Sequence, residues 1–254
     1  MPVRREELSL DDFYIRVAVS PNPGESYIQK FGRNPDIDSA APEDIWDRGG
    51  LWVAPTTGRI HDIVSTDAND TGAGTGAQTV DIFGLDTNYD EQNETVTLNG
   101  ITNVPTVGTY QRIFRMIVRT AGSGGSNVGT ITATAQVDAT VTAQINPANN
   151  QTLMAIYTIP NGKRGALQSI YASIIKSQAV AGQVFLYFRE EGAPWRVAFF
   201  FGLASDGTTT HDHVFTPPAI GFPKTDIRLL VDVTANNADV AGGFSIVLFN
   251  DPEA

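Results

Sequence analysis

The strongest constraint on this chain is that apolar and polar residues alternate in segment after segment, at the period of a β-strand. Residues 130–135 read Thr-Ile-Thr-Ala-Thr-Ala, so every second side chain would face the same side of a sheet. β-Branched and aromatic residues dominate similar segments, such as 183–189 and 195–201. The one stretch with helical spacing, 165–177, is β-branched and follows a Pro-Asn-Gly turn, which favours a strand. The sequence therefore predicts an all-β protein.

The predicted strands divide into two groups. Eight lie toward the C-terminus, at about 130–145, 152–159, 165–176, 183–189, 195–203, 211–216, 226–233 and 243–249. Short strands with regular turn signals are typical of a β-sandwich, and eight is the strand count of a jelly roll. Five more lie earlier, at about 51–54, 59–65, 78–84, 94–98 and 112–119.

This pattern predicts two β-sandwich domains behind an extended arm. Residues 1–50 hold one short strand, at 12–19, followed by a proline-interrupted stretch with little periodicity. Residues 51–140 would form the N-terminal sandwich, and residues 141–254 the C-terminal, jelly-roll-like sandwich. The boundary is placed where Asn and Pro residues break the strand pattern after residue 144.

Composition excludes several kinds of chemistry. The 254 residues include no cysteine, which excludes disulfides, thiolate metal sites and a cysteine nucleophile. The 28 acidic residues outnumber the 17 basic ones, giving a formal charge of −11, which argues against direct nucleic-acid binding. No apolar run approaches the ~20 residues of a membrane helix, and the N-terminus does not read as a secretory signal. We therefore expect a soluble protein made in a cytoplasm.

The loop at 67–77 is the first candidate site. Asp67 and Asp70 precede a Gly-Ala-Gly-Thr-Gly run, and oxygen-rich loops of this kind can hold calcium. The run lacks the lysine of a phosphate-binding loop and leads into a strand, so it favours a tight turn. The loop also does not fit the calcium-loop template, and the favoured interpretation of both aspartates is a solvated turn.

A second metal candidate is the pair His211 and His213. Alternation along a strand places both imidazoles on the same face, and such pairs from several subunits can hold a transition metal. Two ligands fall short of a complete site, so an exposed strand end is the favoured interpretation.

No catalytic motif is present. There is no Gly-x-Ser-x-Gly elbow, although paired carboxylates for glycan hydrolysis stay possible as a third alternative. A glycan-binding protein would instead need exposed aromatic residues in a shallow site, for which Trp195, Tyr187 and Tyr89 are the candidates. We expect no enzyme activity, no catalytic residue and no cofactor.

Several short stretches carry a family resemblance, densest between residues 30 and 131. They are Lys30–Asp38 (KFGRNPDID), Glu43–Gly50 (EDIWDRGG), Glu94–Gly100 (ETVTLNG), Arg112–Met116 (RIFRM), Asn127–Ile131 (NVGTI) and Tyr157–Gly162 (YTIPNG). The series resembles a group of virion structural proteins of tailed bacteriophages, many of them from aquatic hosts. The resemblance implies a capsid decoration, head-fibre or tail-associated protein located in the virion.

The resemblance also implies partners. These would be other virion proteins, either the major capsid protein or neighbouring tail proteins, and further copies of the chain, with a trimer favoured. Neither nucleic acid nor a membrane is expected as a direct partner. The arm would supply the interface through its apolar residues Tyr27, Ile28, Phe31, Ile37, Ile45 and Trp46. The alternative function is a tail or fibre adsorption protein that binds host surface glycans.

Overall fold

A computed structural model describes residue 17 and residues 24–253, with the backbone alone at 177–178 and 205–208. Every regular element in residues 24–253 is a strand, which confirms the all-β prediction. The strands are β1 (Ser26–Ile37), β2 (Glu43–Asp44), β3 (His61–Ser65), β4 (Ala77–Leu85), β5 (Glu91–Thr97), β6 (Val104–Pro105), β7 (Arg112–Ala121), β8 (Ile131–Ala135), β9 (Thr140–Ile145), β10 (Ile156–Thr158), β11 (Lys163–Arg189), β12 (Arg196–Gly221), β13 (Asp226–Val233) and β14 (Ala238–Asn250).

The strands form three antiparallel sheets. The largest has the order β1-β14-β11-β13-β10, with β12 added beside β11 and β2 added beside β13. A four-stranded sheet has the order β6-β3-β8-β9, and a three-stranded sheet the order β5-β4-β7. Mutually hydrogen-bonded antiparallel strands satisfy the backbone polar groups that burial removes from water.

The large sheet doubles back on itself through its two longest strands. Phe199 and His213 both belong to β12 and would be about 46 Å apart on a straight strand. Their rings are instead stacked with centroids 4.4 Å apart. β11 changes partner in the same way, pairing with β14 up to residue 175 and with β13 from residue 182. The two halves of β11 and β12 therefore lie in opposite layers of a β-sandwich.

Two apolar cores fill the molecule. The larger lies between the two layers and takes residues from both halves of β11, such as Leu167, Ile170, Val184 and Leu186. The smaller lies between the four-stranded and three-stranded sheets, around residues such as Ile63, Ile82 and Met116. Alternate residues of β3 and β8 are buried, which is the inward-facing set expected of a half-buried strand.

Several strand predictions need correction. The predicted strands 165–176 and 183–189 are two halves of the single strand β11, and 195–203 and 211–216 are two parts of β12. The predicted strand 130–145 is the hairpin β8–β9, because Val137 and Ala139 in its turn take positive φ angles of 73° and 52°. These predictions were wrong because alternation locates a strand but does not show whether it bends or reverses.

The N-terminal part of the chain also differs from the expected arm. The predicted strand 51–54 is irregular, and the predicted strand 12–19 lies outside the described residues except for residue 17. Residues 26–37 form β1, which pairs with β14 except at an irregularity between Asn34 and Ile37, and Glu43–Asp44 pairs with β13. The jelly-roll topology is not confirmed, and the division at residues 50 and 140 stays a prediction.

Candidate functional site

A cleft opens where the large sandwich meets the three-stranded sheet. It has a volume of about 460 Å³ and is lined by residues of five separate segments. The 54–57 loop and the β4–β5 loop form one wall, and the β11–β12 hairpin loop forms the other. The first residues of β7 and β13 form its floor, where Arg112 and Asp226 lie. Tertiary folding alone brings these segments together.

Asp226 is the centre of a buried charge network on this floor. Its carboxylate accepts hydrogen bonds from Arg112 Nε (2.8 Å) and Nη2 (3.0 Å), from Arg189 Nε (3.0 Å) and Nη2 (2.5 Å) and from the Thr158 hydroxyl (2.6 Å). Burial alone would raise the pKa of Asp226, but the bonds from Arg112 and the charge of Arg189 hold it below its usual value. Two guanidinium groups against one carboxylate leave one positive charge at the floor.

The two arginines have different roles. Arg112 is 7% exposed, and it also donates to the carbonyl of Gln111 (2.8 Å) and the hydroxyl of Tyr89 (3.3 Å). Arg189 is 29% exposed, and its Nη1 has no hydrogen-bond partner among the described residues. Arg112 therefore fixes the floor, while Arg189 keeps donors free toward the cleft.

Trp195 orients two arginines beside the cleft. The guanidinium carbons of Arg189 and Arg228 lie 4.3 Å and 4.1 Å from the centre of its ring, which is cation–π distance. Tyr187 contacts Trp195 edge-on, with ring centroids 6.5 Å apart. The guanidinium plane of Arg189 is therefore held by a ring on one side and by Asp226 at its edge.

A second buried pair lies behind this group. Arg228 donates from Nη1 to Asp44 (3.1 Å), and the backbone N–H of Trp52 donates to the same carboxylate oxygen (2.6 Å). Burial raises the pKa of Asp44 to about 6, although the charge of Arg228 acts in the opposite direction. The other oxygen of Asp44 and the Nε of Arg228 are buried with no hydrogen-bond partner among the described residues. This pair is less well satisfied than the Asp226 network.

The candidate loop at 67–77 is held together by its own aspartate. Asp70 is fully buried and accepts hydrogen bonds from the Ser65 hydroxyl (2.6 Å) and from the backbone N–H groups of Ala77, Val128 and Gly129 (2.8–2.9 Å). A Cβ on Gly76 would approach the Asp70 carboxylate to 2.2 Å, which is why glycine stands there. Asp70 is thus a structural anchor between β3, β4 and β8.

Asp67 and the two histidines lie in less constrained places. Asp67 accepts from the backbone N–H of Asn69 (2.8 Å) in an exposed Asx turn. His211 stacks on Phe201 with ring centroids 4.2 Å apart, and His213 stacks on Phe199. In the part of the chain that the structure describes, no three metal-ligating side chains come together. The histidines therefore pack against aromatic rings between the two halves of β12.

The residues predicted as an interface are distributed between core and surface. Ile37 and Ile45 are fully buried in the larger core, and Trp46 is buried in the smaller one. Ile28 is half-buried against the larger core, Phe31 is half-buried, and Tyr27 is 37% exposed. Contact with a partner stays a prediction for this set, and Tyr27 is its most accessible member.

Of the three aromatic residues proposed for glycan binding, Tyr89 lines the cleft but is only 5% exposed, with Lys224 5.4 Å above its ring. Trp195 and Tyr187 contact each other beside the cleft and are not among its lining residues. The charged residues Arg112, Arg189 and Asp226 were not foreseen. Each begins or ends an apolar strand, where a charge was expected to face solvent. Their position at strand ends beside turn residues was the one available signal.

Comparisons with known proteins give little further information. The sequence matches no protein-family model and no curated protein. Among solved structures, the chain is similar to the structure of infectious bursal disease virus Gx strain at 9% identity, covering 95% of this chain and 79% of that one, with a TM-score of 0.21. It is similar to the infectious bursal disease virus VP2 subviral particle at 9% identity, covering 92% and 77%, with a TM-score of 0.20. Among the described residues no helix is long and apolar enough to cross a membrane.

Proposed function

We propose that this protein is a non-enzymatic structural component of a tailed-phage virion, acting as a capsid decoration, cement or head-fibre protein. The resemblance of its sequence to virion structural proteins supports this function. The single structural observation that supports it best is the exposed apolar strand β12. Its role would be mechanical, because apolar area buried between subunits stabilises a particle by ~25 cal/mol per Å² before the cost of association is subtracted.

β12 has the properties of an assembly edge. Among the described residues it pairs only with β11, so the backbone groups on its other side are open to another strand. Val197, Phe200, Val214 and Ile220 are 48%, 59%, 62% and 44% exposed. Residues 197–204 carry no charge at all. Natural edge strands are usually protected by charges, so an apolar edge indicates a surface that a partner covers.

The outer face beside this edge continues the apolar surface. Phe200 is paired with Phe185, and their rings are stacked with centroids 6.1 Å apart. Phe185 in turn contacts Tyr187 at 6.1 Å. The aromatic surface defined by Tyr187, Phe185 and Phe200 is therefore continuous with the open edge. A partner strand added to β12 would bury both together.

Reconstitution of particles tests this proposal. Purified protein is added to virions or heads that lack it, and binding is followed by sedimentation and by particle reconstruction. We expect saturable binding with density for this chain on the particle. Phe200→Lys is expected to abolish binding without unfolding the protein, whereas Val137→Lys, an exposed apolar site away from β12, is expected to leave it unchanged. Equal binding by both variants would overturn β12 as the assembly edge.

A second function has its own supporting observation. A tail or fibre adsorption protein would bind host surface glycans, and the cleft is lined by Tyr89, several threonines and Arg189, whose guanidinium lies over the Trp195 ring. Binding of purified protein to immobilised host polysaccharide, without affinity for the head, would favour this function over the first. Binding to heads without affinity for any glycan would exclude it.

A further inference from the structure

We propose that the cleft binds a saccharide that carries a carboxylate, such as a uronic or sialic acid, with Arg189 as the residue that recognises the acid group. This proposal deepens the glycan-binding function and rests on it. It concerns the chemical class of the sugar, which nothing in the sequence pattern indicated.

The charge of the floor supports an acidic ligand. Arg112 and Arg189 share one buried carboxylate, Asp226, so the floor keeps one positive charge within a chain of formal charge −11. Glu191 also lines the cleft, but it is paired with Lys224 at 3.2 Å, so this pair adds no net charge. A positive site attracts an anionic ligand, whereas a neutral sugar gains nothing from its charge.

The geometry of Arg189 supports a carboxylate in particular. Trp195 and Asp226 hold its guanidinium in one orientation, and its Nη1 is free of hydrogen bonds among the described residues. Nε and Nη2 donate to Asp226, so the parallel pair left for a ligand carboxylate is Nη1 with the second N–H of Nη2, and little entropy is lost when such a preorganised guanidinium binds.

The rest of the lining supports a sugar over an acidic peptide. Thr56, Thr57, Thr87 and Gln111 line the cavity, and Tyr89, which is 5% exposed, contributes the edge of an aromatic residue. Such a lining matches a ring with many hydroxyl groups. The volume of about 460 Å³ falls within the range of small-molecule sites, ~300–1,000 Å³. An extended peptide would instead need an open strand edge or a long groove.

The decisive measurement compares an acid with its own ester. Dissociation constants are measured by calorimetry or ligand-observed NMR for the methyl glycosides of glucuronic acid, galacturonic acid and N-acetylneuraminic acid, and for the methyl ester of each. We expect at least one acid to bind about tenfold or more tightly than its ester, since a charge-assisted pair is lost. Its affinity is also expected to fall as salt is raised.

Two variants locate the site. Arg189→Gln is expected to weaken binding of that acid about tenfold, whereas Arg196→Gln removes an equally charged residue from the same hairpin, 66% exposed and outside the cleft, and is expected to change nothing. Arg189→Lys keeps the charge and is also expected to weaken binding, because lysine cannot bind a carboxylate with two parallel donors. The acid–ester comparison on the unaltered protein decides the question even if a variant folds poorly.

Each other result contradicts a defined part of the proposal. Equal affinity for acids and esters would overturn the acidic class while glycan binding stands. If neither these sugars nor neutral host polysaccharide binds, both the acidic class and the glycan-binding function are overturned. Tighter binding of a glutamate hexapeptide than of every acidic sugar, lost in Arg189→Gln, would overturn the saccharide and indicate an acidic protein segment.

Discussion

Two regions of this molecule differ in which side chains they bury and which they expose. At the joints between sheets, charged side chains are buried: Asp226, Asp70 and Lys30 are each 6% exposed or less. Along β12, apolar side chains are exposed, with Phe200 at 59% and Val214 at 62%. At the joints, directional bonds hold the sheets in one arrangement, whereas the exposed apolar side chains of β12 would gain stability if a partner covered them, as proposed above.

The largest expected effect comes from breaking the Asp226 network. Asp226→Ala leaves the buried Arg112 without its carboxylate, and we expect the free energy of unfolding to fall by about 3–5 kcal/mol. Urea denaturation followed by tryptophan fluorescence measures it. Asp239→Ala, which removes the partner of the exposed Arg33, is the control and is expected to cost at most about 1 kcal/mol. Similar losses in both variants would contradict the contrast between a joint and a surface.

The next largest loss of stability is expected at Asp70, the anchor between β3, β4 and β8. Asp70→Ala leaves buried N–H groups of Ala77 and Gly129 without an acceptor, and we expect a loss of at least about 2 kcal/mol. Asp67→Ala, in the same loop, removes an acceptor in an exposed turn and is expected to cost less than about 1 kcal/mol. Equal costs would show that Asp70 is not the anchor.

Lys30 differs from the two aspartates because no carboxylate among the described residues pairs with its buried ammonium. Its ammonium donates to the carbonyl of Phe114, and burial together with the charge of Arg115 lowers its pKa to about 7. Between pH 7 and about 10.5 the unfolded chain therefore binds more protons at this residue than the folded chain, so its contribution to stability rises with pH.

Replacement of Lys30 tests whether its contribution to stability rises with pH. Lys30→Met is expected to raise the free energy of unfolding at pH 7, and the gain is expected to shrink as pH approaches 10.5, where lysine is neutral in both states. Denaturation of both proteins at pH 7, 8.5 and 10 measures it. A difference that stays constant with pH would contradict a neutral buried Lys30.

The smallest expected effect on folding lies at the β12 edge. Phe200 faces outward, whereas its neighbour Phe201 is 8% exposed and belongs to the larger core. Phe200→Ala is expected to change the free energy of unfolding by less than about 1 kcal/mol, and Phe201→Ala to lower it by about 3–5 kcal/mol. Sedimentation should then show reduced self-association for Phe200→Ala alone. If Phe200→Ala destabilises the monomer as much, the edge is part of the core.

Much of the fold could be predicted from local pattern. Alternation located strands near 61–65, 77–85, 112–121 and 226–233 within a few residues, because a half-buried strand imposes its period on the sequence. The same pattern missed β1, since proline and glycine interrupt its alternation and its partner β14 is 200 residues away. It also missed the doubling back of β12, because a strand that changes layer keeps the same alternation.

The residues of the candidate cleft could be predicted from the sequence less completely than the strands. Trp195, Tyr187 and Tyr89 could be named as aromatic candidates because aromatic residues beside turns are visible in the sequence, but their expected exposure was wrong for Tyr89, which is 5% exposed. The pairing of Arg112 with Asp226, across 114 positions, could not be named. Many arginines and aspartates are present, and only the packing of one sheet on another selects which two are buried together.

The sequence by itself determined that the regular elements of residues 24–253 are strands, and that the chain has no thiol chemistry and a negative formal charge. These properties depend on residue types and their period, and both can be read without coordinates. Only the tertiary structure decided that Arg189 Nη1 has no hydrogen-bond partner among the described residues, and that β12 pairs there with β11 alone. Those features depend on which strands become neighbours, which long-range burial selects and local sequence does not encode.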